Sequence, residues 1–313
     1  MIQATSLRVD YEGVTAVRDV DLQVSAGQVY GLVGPNGAGK TSTLKALAGI
    51  IIPTYGDIRI NGIDLEINPR EALRQLGFMP DFPPVYERLK VCEYLEVFAA
   101  AHLCERKDRL ERARHWIDRV RLQDKWDATI QTLSRGMRQR LVLAKTLLHE
   151  PKVLLLDEPA SGLDPLARME MRDILKEVAA GGRVVIISSH ILTELSDLCN
   201  AVGIMEKGKM VVSGSIDEIR ARVGMTSELV IRLAGVDPAV CERAQAVIRE
   251  MGTVGKILSA SVNEIIIACA GESPDTALLL SKLVGQGIPV SQSFFRQADM
   301  EDIFLKVGAR ETS

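Results

Sequence analysis

Apolar and polar positions alternate along residues 4 to 24, ATSLRVDYEGVTAVRDVDLQV, which predicts two strands joined where the alternation breaks at Glu12-Gly13. Val29 to Val33 is a continuous apolar run, as expected of a strand buried on both faces. A glycine-rich loop follows, and from Lys40 the spacing turns helical, ending before Ile50 to Pro53. GDIRING reads as a strand and turn, Arg70 to Gln75 as a short helix, and Leu76 to Pro80 as a strand leading into Asp81.

From Val91 to Arg121 apolar residues recur three and four apart in helix-favouring sequence. Tyr94, Leu95, Phe98, Leu110, Trp116, Ile117 and Val120 are expected to line the apolar side, and the charge run Lys107 to Arg114 to be its solvated face. Residues 132 to 149 predict an amphipathic helix with Ser134 and Gly136 at its N-terminus. A cap explains Ser134, but Gly136 weakens a helix by roughly 1 kcal/mol relative to alanine, so its presence asks for another reason. Val153 to Asp157 is a buried strand ending in acid, Pro165 to Ala180 a helix, and Arg183 to Ser188 a further buried strand. Val202 to Met205 and Met210 to Ser213 form a hairpin around Lys207-Gly208 that finishes a first domain near Arg222.

Residues 226 to 313 form a separate unit by this reading. The elements run strand (Leu229 to Leu233), helix (Ala239 to Met251), strand (Val254 to Ser259), strand (Glu264 to Ala268), helix (Pro274 to Gly285) and strand (Pro289 to Phe295). That order predicts a small ferredoxin-like α+β domain behind a larger α/β one.

Composition narrows the class. A chain of 313 residues with 47% apolar content can bury two ordinary cores, and a net charge of -3 argues against a nucleic-acid groove. No apolar run has the length of a membrane span, and MIQATSLRVDY lacks a signal-peptide pattern, so a cytosolic protein is expected. The five cysteines, Cys92, Cys104, Cys199, Cys241 and Cys269, show no C-x-x-C pair, which points to buried thiols in a reducing compartment.

The chemistry starts at GPNGAGKTS. Gly34, Gly39, Lys40 and Thr41 fit G-x-x-x-x-G-K-[ST], between a strand and a helix as that pattern requires. Glycines let successive backbone N–H groups converge on phosphate oxygens, and the helix start adds its own unsatisfied donors. Lys40 supplies positive charge to the outer phosphates, and the Thr41 hydroxyl is a magnesium ligand. Asp157, at the C-terminal edge of a buried strand, is a second magnesium ligand, and Glu158 polarises an attacking water. His190 stands at the same edge, poised to sense the terminal phosphate. Tyr11, at a strand end, offers a face for an adenine ring.

Together these stretches resemble the nucleotide-binding subunit of an ABC transporter, over about residues 3 to 222. GPNGAGKT is similar to its Walker A loop (Gly34, Pro35, Asn36, Gly37, Ala38, Gly39, Lys40, Thr41, then Ser42), LSRGMRQR to its signature, VLLLDE to its Walker B strand and SGLD to its D-loop. Tyr11 matches the adenine-stacking position and His190 the switch histidine. The resemblance implies a P-loop NTPase cassette with a helical subdomain inserted over about residues 82 to 150, ATP and Mg2+ as ligands, and head-to-tail pairing with itself or a sister cassette. Ser134 and Gly136 would then bind the terminal phosphate held by the partner copy, where a side chain at 136 would block the approach.

Two departures stand out. Asp81, in GFMPD, replaces the usual glutamine and brings a charge to magnesium or the lytic water. Arg135 and Met137 replace glycine and glutamine of the signature. Both features resemble the bacterial exporter branch that includes drug-resistance and sodium-extrusion ATPases. The resemblance implies a peripheral ATPase on the cytoplasmic face of the membrane, driving export through a separate integral permease. Its cytoplasmic helix would meet the region Asp81 to Phe98, with Pro83, Pro84, Val85, Tyr86 and Leu89 in the groove. The closing DMEDIFLKV is similar to tails of that branch, and a structural or dimer-supporting role is expected there. The competing reading is a soluble ABC ATPase acting on ribosomes or DNA. It calls for two cassettes, a long coiled-coil insertion or a basic surface, and the sequence carries none of these. A third reading makes the chain a regulator whose tail binds a small molecule.

Overall fold

The computed structural model describes residues 1–191, 195, 198–223, 228–235, 237–251, 256–268 and 276–296. The chain divides into two compact units, Met1–Ile216 and Asp217–Ser313. In the first, β1 (Ile2–Tyr11) and β2 (Val14–Val24) pair antiparallel across the Glu12-Gly13 turn. With β4 (Tyr55–Ile60) and β5 (Ile63–Asp64) they make a sheet of order β2-β1-β4-β5.

The second sheet holds the apolar strands β3 (Val29–Val33), β6 (Leu76–Met79), β7 (Val153–Asp157), β8 (Val184–Ser189) and β9 (Ala201–Glu206), with β10 (Lys209–Ser215) at its edge. Its order is β10-β9-β3-β8-β7-β6. All its pairings are parallel except β10 with β9. Every residue of β3, β7 and β8 is buried, which is why these strands read as unbroken apolar runs. Their register sets Asp157 opposite Ser188 and Val33 opposite Ser189, so three strands end together at one carboxyl edge.

Helix α1 (Lys40–Leu47) follows β3, and α2 (Pro69–Arg74) precedes β6. The helical stretch after β6 is two helices, α3 (Val91–Ala101) and α4 (Arg109–Arg119), packed with α5 (Arg135–Leu147). Tyr94, Leu95, Trp116, Ile117 and Val120 are buried as the periodicity requires, and Phe98 packs its ring 4.8 Å from that of Tyr94. Leu110 departs from expectation and is 58% exposed. The buried stripe of α4 begins one turn later with Ala113, then Trp116 and Ile117, leaving the first turn outside it. Helix α6 (Pro165–Ala180) belongs to the first unit, and α7 (Ile216–Val223) starts at the division between the two.

In the second unit β11 (Glu228–Leu233), α8 (Pro238–Met251), β12 (Lys256–Ala260), β13 (Glu264–Ala268), α9 (Thr276–Gly285) and β14 (Val290–Arg296) follow one another. The antiparallel sheet runs β12-β13-β11-β14, and its core joins Leu229, Ile231, Ile265 and Ile267 to Ala244 and Ile248 of α8 and Leu279 and Leu283 of α9. Val254, Pro274, Cys269 and the DMEDIFLKV stretch lie outside the described residues. Cys92, Cys104, Cys199 and Cys241 are free thiols. No described helix is long and apolar enough to cross a membrane.

A half-buried histidine contact joins the end of α5 to the sheet. His149, two residues past the end of α5, places Nε2 2.9 Å from the carbonyl of Leu76 at the start of β6. The His102 ring stacks on it with centroids 4.0 Å apart. Burial, then the nearness of His149 and Lys145, pushes His102 down to about 4, and burial also lowers His149. The His102 ring is therefore neutral in the fold near neutral pH and takes up a proton on unfolding, so the stability it supplies is present above about pH 6.5 and is lost as pH falls from there toward 4. Thermal melting of His102→Phe followed between pH 7 and 4 is expected to show a flatter acid slope than the natural chain.

Candidate functional site

The carboxyl edge of the parallel sheet meets the loop between β3 and α1 in a cavity of about 400 Å³. Asn36, Gly37, Ala38, Gly39, Lys40, Thr41 and Ser42 line it on one side, and Asp81, Glu158, Ser161 and His190 on the other. The loop is held by backbone contacts, Ala38 N to Pro35 O at 3.1 Å and Gly208 N to Ala38 O at 3.0 Å. Gly39 precedes α1 at φ 104°, and a Cβ there would fall 2.5 Å from the Ala16 carbonyl oxygen. Only glycine suits that position, and the amides of the first turn of α1 are left free to donate into the cavity.

The Lys40 ammonium is buried, donating to the Gly34 carbonyl at 2.7 Å and the Pro35 carbonyl at 3.2 Å. It stands 3.9 Å from Glu158 Oε1. Burial lowers its pKa, while Glu158 and Asp157 pull the other way. Thr41 Oγ1 donates to Asp157 Oδ1 at 3.2 Å, so the hydroxyl and carboxylate singled out in the sequence meet. Asp81 belongs to the same cavity wall, with its Oδ1 buried and without a hydrogen-bond partner among the described residues. Its carboxyl is pushed up by burial and then by Asp157, against the opposing charges of Arg135 and His190.

Glu158 adopts φ 48°, the left-handed region that costs a non-glycine residue about 1–2 kcal/mol. Three contacts hold it there. Its amide donates to Ser188 Oγ at 3.0 Å, its Oε2 lies 2.9 Å from His190 Nδ1, and Lys40 faces Oε1. Burial raises its pKa, opposed by the His190 hydrogen bond and by Lys40. Ser188 is fully buried and also donates to Asp157 Oδ1 at 2.6 Å, so one hydroxyl fixes both acids. Sequence reading passes over Ser188. Its signal is a hydroxyl at the end of the apolar run VVIIS, where burial demands a polar partner.

Tyr11 is exposed at the end of β1, with Oη 3.3 Å from Ser42 Oγ at the mouth of the cavity. Ser134 and Gly136 are not among the cavity's lining residues. Ser134 caps α5, accepting from the Met137 amide at 3.3 Å, and is exposed. Gly136 is buried, and a Cβ there would lie 2.9 Å from Ala167 Cβ on α6. Part of the reason for this glycine is thus helix packing within the chain.

The profile of the ABC transporter family matches residues 17–161. Nod factor export ATP-binding protein I of Burkholderia orbicola is 32% identical over 302 residues, covering 96% of this chain and 94% of its own length. The chain belongs to the ABC transporter family. Daunorubicin resistance ATP-binding protein DrrA3 of Streptomyces coeruleorubidus is 30% identical over 307 residues, covering 96% of this chain and 95% of its own. A solved ATP-binding subunit of an ABC transporter superposes with a TM-score of 0.65 at 31% identity, covering 72% of this chain and 94% of that one. The protein is an ATP-binding, ATP-hydrolysing subunit of that family, with the cassette fold of P-loop NTPases.

In this ABC ATPase the Ser188→Ala variant leaves the buried Glu158 amide unpaired and takes from Asp157 Oδ1 the shorter of its two hydrogen bonds, the one from Thr41 remaining, a penalty of about 1–3 kcal/mol. Turnover measured by phosphate release is expected to fall about tenfold, since roughly 1.4 kcal/mol on the barrier is a factor of ten. For Gly39→Ala, equilibrium binding of a fluorescent ATP analogue is expected to weaken at least about tenfold, because a strained loop can no longer present its amides together.

Proposed function

We propose that the cavity holds ATP with Mg2+ and that its hydrolysis powers export through a separately encoded membrane permease. The observation carrying this reading is the convergence of Lys40, Thr41, Asp157, Glu158 and His190 on one cavity at the end of three parallel strands. Amides of Asn36 to Ser42 and the Lys40 ammonium bind the β- and γ-phosphates, and Tyr11 stacks on the adenine. The oxygen donors Thr41, Asp157 and Asp81 suit a hard divalent cation, and the unpartnered Asp81 Oδ1 is an atom in need of one. Bound there, Mg2+ would supply positive charge against the phosphate oxygens.

Glu158 accepts a hydrogen bond from the attacking water and orients it in line with the γ-phosphorus. As the new P–O bond forms the water gives up a proton to the Glu158 carboxylate, the bond to the β-phosphate oxygen breaks, and ADP carries away that electron pair. Lys40 stabilises the growing charge, and His190 fixes the Glu158 carboxylate. Ser134 and the amides of the first turn of α5 lie outside the cavity of their own chain. That supports a head-to-tail dimer, with itself or a sister cassette, in which they reach the γ-phosphate of the partner copy.

Residues 1 to 222 form the ATPase domain in this reading, with the helical subdomain at about 82 to 150. Residues 226 to 313 form a ferredoxin-like domain, a reading supported by the strand order β12-β13-β11-β14 and the alternation of elements. The names of the two relatives, Nod factor export and daunorubicin resistance, support export rather than a ribosome- or DNA-directed ATPase. A peripheral place on the cytoplasmic face of the bacterial membrane follows from a permease partner. Glu158→Gln is expected to bind ATP with unchanged affinity, to sediment as a dimer with ATP present, and to bring down a polytopic membrane protein when purified from membranes. A variant that stays monomeric with ATP bound removes the shared-site account, and recovery of ribosomes in place of a membrane protein removes transport.

A further inference from the structure

Arg135 opens α5 and is exposed, yet its guanidinium turns back onto its own chain. Nη2 donates to the Ser161 carbonyl at 2.8 Å, and Gln139 Nε2, one turn later, reaches the same oxygen at 3.4 Å. The guanidinium carbon lies 5.8 Å from the centre of the Phe82 ring. It also lies flat against Gly162, φ 66°, where a Cβ would take the space the guanidinium fills. Arg135 joins Asp81, Phe82 and Gln139 around a groove of about 380 Å³, while Ser161 and Asp81 themselves line the ATP cavity. Arg135 is not among the residues lining that cavity, but it touches both loops that deliver Ser161 and Asp81 to it.

We propose that Arg135 is a positioning residue that clamps the Ser161-Gly162 turn and the Asp81-Phe82 turn together, fixing the far wall of the ATP cavity. A planar, multiply donating cation suits the task, since it can bond a carbonyl through its edge while a glycine and a ring pack against its faces. The two sequence departures thereby belong together, because Asp81 and Arg135 line the same groove. The glycine at 162 then serves the arginine as well as the turn.

The inference rests on the cavity being the site of hydrolysis, and the experiment separates the two. Steady-state hydrolysis by the full chain is measured for the natural protein, Arg135→Gln, Arg135→Lys, Gly162→Ala and Lys40→Ala, with melting temperatures alongside. Arg135→Gln is expected to lower kcat about tenfold, the effect of losing one charge-assisted contact to a catalytic wall, with KM for ATP within about twofold and melting unchanged. Arg135→Lys is expected to recover part of the rate, because it restores charge without the fork. Gly162→Ala, which drives the guanidinium off without removing it, should reproduce the fall in kcat. A natural kcat in Arg135→Gln, a change carried by KM alone, or a rate loss that tracks a lowered melting temperature would each overturn the clamp. Full hydrolysis by Lys40→Ala would instead overturn the cavity as the site.

Discussion

A buried ammonium must be answered by oxygen, and the geometry of the cassette's centre is arranged around the answer given to Lys40. Removing that charge from water costs several kcal/mol unless carbonyls and carboxylates surround it. Gly34 and Pro35 turn their carbonyls inward to do so, which forces the loop to fold over its own lysine. Glu158 supplies the opposite charge from another strand end. Glu158 in turn sits in a backbone conformation that glycine favours, held there by Ser188 and His190. Loop, strand ends and histidine are thus one electrostatic unit, each member held by contacts to the others.

That unit is placed by the sheet. Parallel strands end at a common edge, and the register that pairs Asp157 with Ser188 makes the shared hydrogen bond a consequence of strand alignment. The helical region reaches the same edge by two routes. At its N-terminal end, α5 brings Arg135 to the turn at Ser161. Beyond its C-terminal end, His149 is bonded to the first residue of β6, the strand that leads toward Asp81. Helix α5 is therefore fastened near both ends, to the turn at Ser161 after β7 at one and to β6 at the other.

Much of this was legible beforehand because the information is local. The loop GPNGAGKT, the strand VLLLDE and the caps of α5 and α6 write their geometry into neighbouring residues. The expected strands and helices of the larger unit stand close to their expected bounds for that reason. What escaped notice is non-local. Ser188 gains its importance only from pairing with a strand some thirty residues earlier, and Leu110 was assigned to an apolar face by spacing alone, although the contacts of α4 begin one turn later. Arg135 stood out in the sequence as a departure, but the surface it covers is assembled from three separate segments.

Gly136 carries one further implication. Its hydrogen points at Ala167, with room for nothing larger between α5 and α6. A demand for glycine therefore exists inside a single copy, and under the head-to-tail pairing proposed above its retention across relatives would mix two pressures. Position 167 is where they separate. Were 167 to shrink to glycine, the contact with α6 would be relieved, and any constancy remaining at 136 would be left for the proposed pairing to explain.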